Sequence, residues 1–133
     1  VYLLRDRSGV TSASLVGSGL VVDPATQTQR ATLYGGRLAL AALADGRAVV
    51  ASHDATRWQV DVAVEKPTGD FSHTWLTAAQ AGGPLAWPVV QVLGTAQVLL
   101  HAIRTSASDG PLANRVETLE VLSQPGAAST QAK

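Results

Sequence analysis

Short runs that alternate apolar and polar residues, each closed by a turn-forming pair, set the tightest limit on what this chain can fold into. WQVDVAVE (58–65) puts Val60, Val62 and Val64 on one side of an extended chain and Asp61 and Glu65 on the other. A repeat of two is the period of a strand, not of a helix. Similar runs occupy 1–7, 10–17, 30–34, 37–43, 47–53, 88–93, 97–105 and 115–122. The breaks carry turn chemistry: Ser8-Gly9, Asp23-Pro24, Gly35-Gly36, Asp45-Gly46, Gly94-Thr95 and Asp109-Gly110-Pro111. Asp45-Gly46 between two apolar runs predicts a hairpin with a type I′ turn, in which both central residues take positive φ. The class this implies is all-β, built from antiparallel hairpins as propeller-like blades or, alternatively, as a β-sandwich or barrel.

Two stretches carry a competing helical signal. Residues 36–46 are rich in Ala and Leu, good helix formers, but the adjoining hairpin signal favours a strand over 37–43. In 72–83, Ser72 stands as an N-cap and Gly82-Gly83 as a stop, and here helix and strand readings stand level. Residues 1–122 form a single β domain on this reading, and 123–133 form a flexible C-terminal tail.

Composition narrows the function classes. Hydrophobic residues are 46% of the 133, enough for a core, and charged residues are 15%, against ~25% in an average soluble domain. Ten basic residues balance ten acidic ones. That leaves no excess charge to hold a nucleic-acid backbone. No apolar run approaches the ~18 residues of a membrane helix, which argues against membrane insertion. The absence of cysteine excludes disulfides and cysteine-bound zinc. So sparse a surface charge favours association, with other protein subunits or with the remainder of a longer chain. The opening VYLLRDR, in mid-strand and without Met, reads the same way.

The strand pairs recur. Residues 35–65 and 84–122 share one plan: a strand, a short turn, a longer strand, a polar turn and a third alternating strand. Setting Val49 against Val98 and Leu99 gives a period of roughly fifty residues, in the range of propellers and arrays. One step back, residues 1–17 supply only the last two strands of such a unit. The chain then holds two to two and a half repeats.

ASHDATRW (51–58) sits at the polar turn of the first full repeat. Its Ser52, Asp54 and Trp58 resemble the S-x-D-G-x-x-W hairpin of Asp-box β-propeller repeats, the group that includes sialidase-like and sortilin-like propellers. Ala55 stands where that family prefers Gly, and the turns near 5–10 and 104–115 lack the Trp. The resemblance implies that Ser52 and Asp54 bond backbone amides of their own turn, as short polar side chains do. It further implies that Trp58 packs between blades.

No catalytic constellation emerges. Ser52, His53 and Asp54 are adjacent in sequence, whereas catalytic triads draw on separated positions. An esterase-like hydrolase using Ser52 or His101 is the remotest reading. His53, His73 and His101 lack metal-ligand spacing, so neither a metal nor a cofactor is expected. Among the carboxylates Asp61, Glu65, Asp70, Glu117 and Glu120, Asp61 and Glu117 alternate with valines, as on the wet face of a strand. The arginines are scattered singly, without the cluster that glycan processing by the sialidase route needs. Trp58, Trp75 and Trp87, with Arg57, are the candidate binding residues. Packing between sheets explains the same tryptophans as core. Asp45, Gly46, Ser52 and Asp54 are structural turn residues.

These observations favour a non-enzymatic structural or recognition module of a larger extracellular or particle-surface assembly, of the phage tail, fibre or adhesin type. The alternative is a carbohydrate-binding or glycan-processing propeller fragment, with a glycan near Trp58, Trp75, Arg57 and Asp54.

Overall fold

In the computed structural model, which describes residues 1–7, 10–22, 25–93, 97–104, 115–122 and 130–132, the alternating runs become antiparallel strands. β1 (Tyr2–Arg7) and β2 (Val10–Leu15) form a hairpin, and β3 (Leu20–Val22) pairs with β4 (Gln29–Ala31). Next comes a four-stranded meander: β5 (Tyr34–Ala42), β6 (Ala48–Asp54), β7 (Gln59–Glu65) and β8 (Phe71–Leu76). After a single helical turn, α1 (Ala78–Ala81), a second meander follows. It comprises β9 (Leu85–Leu93), β10 (Gln97–Arg104), β11 (Arg115–Leu122) and β12 (Thr130–Ala132). The class is all-β, and none of the described sheets closes into a barrel.

The two halves of the sequence repeat thus share one strand order, and each gains a fourth strand, β8 or β12. Within the stretch read as a flexible tail, Thr130–Ala132 pair with Leu119–Val121; residues 123–129 and 133 lie outside the described residues. The turns at Ser8-Gly9, Asp23-Pro24, Gly94-Thr95 and 109–111 lie outside them too.

The helical signal of 72–83 resolves in two parts. Phe71–Leu76 pair with Val60–Glu65 as a strand, so Ser72 caps nothing. Thr77 is the N-cap instead, in a reciprocal capping box with Gln80, and Gly82 closes the turn at φ 73°. Cross-strand pairing with β7 claims Phe71–Leu76, and only the four residues Ala78–Ala81, none of them buried, remain helical. The Asp45-Gly46 hairpin forms, but not as a type I′ turn. Only Gly46 has positive φ, at 84°, while its amide donates to Leu43 O at 2.9 Å. A type I turn ending on a left-handed glycine is the longer hairpin solution.

The sheets stack. Leu43, Val49, Ala51, Val60, Val62 and Val64 on one face of the first meander meet Leu85, Val98, Leu100 and Ala102 of the second in one core. On the opposite face, Val50 and Ala63 meet Val16, with Val1 and Leu3 of the N-terminal hairpin against them. The first meander is therefore the middle layer, and every residue of β6 is buried. This overturns the wet-face reading of Asp61, which is wholly buried, as nearly is Glu65. Alternation describes two faces; it does not say that one of them is wet.

Glu65 shows how the middle layer holds a charge. Both carboxylate oxygens accept from the Arg5 guanidinium of β1, with Nη1–Oε1 at 2.6 Å. Its Oε2 also accepts the Ala48 amide at 2.9 Å. The bidentate pair fastens the N-terminal hairpin to β6 and β7. Replacing Glu65→Ala leaves a buried amide without an acceptor and a cation without its partner. The expected cost is about 2–3 kcal/mol, since Arg5 keeps some solvent, measured as a lower urea midpoint with little change in slope.

Candidate functional site

Three groups of polar and aromatic residues stand out: the β6–β7 turn, a cluster around Asp61 that joins β5, β7 and β8, and a groove between β5 and β9. The first is the turn in ASHDATRW. Asp54 ends β6, and its Oδ1 accepts the amides of Thr56 at 3.0 Å and Arg57 at 3.2 Å. Arg57 also approaches Asp54 Oδ2 at 3.9 Å but stays largely in solvent. The turn is pinned to the strand entrance beside it: Leu33 donates to Thr56 Oγ1 at 2.9 Å, and Ala55 donates to Leu33 O at 3.2 Å. Ser52 takes no part in capping. It lies within β6, and its buried hydroxyl reaches none of the turn amides. Trp58 closes the turn at φ 53°, a left-handed conformation that a bulky residue rarely takes. Its ring lies 5.8 Å from that of His53, centroid to centroid, yet it is 48% exposed. Asp45 caps its own turn by accepting the Arg47 amide at 3.1 Å, and the Arg47 side chain holds its carboxyl below the usual range.

The second group is a hydrogen-bond cluster built on the buried Asp61. Tyr34 Oη donates to Asp61 Oδ2 at 2.6 Å, and His73 Nδ1 meets the same oxygen at 2.7 Å. Asp61 Oδ1 is buried without a partner. Trp75 packs its ring 5.9 Å from that of Tyr34 and is half-buried. Gly17 and Gly19 give Tyr34 its space: a Cβ on Gly17 would sit 2.6 Å from the phenol oxygen. The GSG run is therefore clearance for a tyrosine. Burial raises the Tyr34 pKa, the bond to Asp61 adds to the rise, and Ser52 opposes it. A histidine held at Nδ1 by a buried carboxylate has the orientation of a base or a metal ligand. Among the described residues, however, no three His, Asp or Glu side chains come together as a metal site.

Of the third group, only Trp87 was legible in sequence. Trp87 occupies a bulge in β9, where Trp87 and Pro88 stand opposite Ala102 between the Ala86–Ile103 and Val89–His101 pairs. Its φ is 56°, and backbone strain of this kind costs of order 1–3 kcal/mol. The Arg37 guanidinium of β5 lies 3.2 Å from the ring centroid of Trp87. Together with Gly36, Leu38, Pro88 and Val89 they line an open groove of about 240 Å³. The β6–β7 turn adjoins this strand, since Leu85 donates to Trp58 O at 2.9 Å.

The three tryptophans therefore differ. Trp75 packs, while Trp58 and Trp87 are each about half exposed, at 48% and 51%. Sequence reasoning missed Arg37, Tyr34 and the Asp61–His73 bond, because only the packing of separate strands brings them together. No family model, curated protein or solved structure matches this chain.

Two outcomes follow. Asp54→Ala releases two turn amides and should cost about 1–2 kcal/mol in urea unfolding, with Asp54→Asn losing less. Because the folded Tyr34 holds its proton beyond the pH at which an unfolded tyrosine loses it, stability should fall as pH rises past about 10. Urea midpoints across the alkaline range should show that fall in the native chain and a flatter profile in Tyr34→Phe.

Proposed function

We propose that this domain is a non-enzymatic structural and recognition module whose stack of blade-like sheets is continued by partner protein. One observation carries the reading: the stack has apolar residues in solvent at both ends. The outer face of the N-terminal hairpin exposes Leu4 and Leu15 (67% and 56%), and the outer face of the second meander exposes Val89 and Leu93 (56% and 36%). Each of these layers already buries its inner face on the middle sheet. Apolar patches left open on a sparsely charged surface mark contacts with further protein. Two meanders of one strand order, stacked face to face, support the propeller-like form of the reading.

Light scattering over a range of concentrations tests it. The expected mass is a multiple of the 13.7 kDa chain, collapsing toward that of the single chain in Leu4→Lys/Leu15→Lys. A concentration-independent monomer, unchanged by the double substitution, would overturn it.

Carbohydrate binding is the second reading, favoured by two half-exposed tryptophans on neighbouring segments. It expects a saturable change in tryptophan emission on titration with oligosaccharides, lost in Trp87→Ala.

A further inference from the structure

We propose that the groove between β5 and β9 binds an extended acidic peptide, with Arg37 as its anion contact. This deepens the recognition reading above and rests on it. Four observations converge on the groove. Arg37 is an exposed cation for which no carboxylate partner occurs among the described residues. Its guanidinium is stacked on Trp87, so the flexible arm is held while the planar edge of N–H donors stays free for a carboxylate. Trp87 is fixed at that place by a bulge with positive φ, the kind of local strain that collects at binding sites. Finally, β5 and β9 are both edge strands of their sheets, and they pack against each other at the groove.

The neighbouring side chains decide between occupants. Beside Arg37 come Leu38 and Leu40, two residues apart on β5 and 54% and 65% exposed; Leu38 lines the groove, with Val89 across it, and Leu40 continues the strand beyond it. Alternate apolar contacts next to an unpaired strand edge suit a peptide strand, whose side chains repeat every two residues. A sugar chain needs hydrogen-bond donors and acceptors along its length, and this stripe supplies aliphatic groups instead. The groove, at about 240 Å³, falls below the ~300–1,000 Å³ typical of sites that enclose a small molecule. It suits one anchoring side chain of a longer ligand. The ligand class is a segment with an Asp or Glu followed by apolar residues at alternate positions.

A phage-displayed library of random linear peptides, selected in parallel on the native chain and on Arg37→Gln, tests the inference. The native chain should enrich sequences with an acidic residue ahead of alternating apolar ones. A synthetic peptide of the enriched sequence should bind Arg37→Gln roughly tenfold or more weakly, while the thermal transition moves only by the loss of one surface stacking contact on Trp87. Enrichment without an acidic residue, equal binding by Arg37→Gln, or no enrichment at all would overturn the proposal. Binding of oligogalacturonate that depends on Arg37, with no peptide enriched, would overturn it in favour of an acidic glycan. The Leu4→Lys/Leu15→Lys mass measurement is independent of the groove. A lost mass effect removes the module reading, and a failed selection removes only the peptide.

Discussion

The covering of both faces of the middle meander is the constraint on which the rest of the structure depends. A half-buried antiparallel sheet keeps its polar positions in water. Here β6 and β7 have a sheet on one side and a hairpin on the other. The alternate polar side chains are thereby forced into the interior, where each carboxylate must find partners or lose its charge. Glu65 finds a guanidinium and an amide, Asp54 two amides, and Asp61 a phenol and an imidazole. The polar network of the domain is a consequence of its layering.

That layering also explains why the exposed groups that could bind something sit at the margins. The central strands of the middle sheet, β6 and β7, offer no free face. What remains open includes the outer face of each end layer and the margin where β9 packs against β5. At this edge the two left-handed tryptophans fall on neighbouring segments, joined through the Trp58–Leu85 backbone bond. Trp58 and Trp87 share a cause as well as a place: each sits where the strand path breaks, at a turn or a bulge, and so turns its ring out of the regular alternation.

Most of the strands were legible because period-two patterning and turn residues are local signals. The bounds shifted by a few residues, as at β9, which starts at Leu85 and not at Pro88. β3 was not read as a separate strand. β8 was hidden by the helix-like sequence 72–83, since a strand pairing with β7 competes with a cap signal that is purely local. The Asp54 turn could be anticipated from its spacing, because an aspartate and the amides it bonds lie within three residues. The part given to Ser52 could not, because strand pairing places it inside β6, opposite Leu38 and Asp61, with its hydroxyl buried away from the turn.

By itself the sequence determined the all-β class, the repeated strand plan, the hairpin sites and the weakness of its surface charge. Each of these is written in the spacing or count of nearby residues. Only the tertiary structure decided that Asp61 is buried, that Arg5 belongs to Glu65, and that Arg37 stacks on Trp87. The physical reason is the same in all three: alternation assigns a residue to a face, and packing alone decides what, if anything, covers that face.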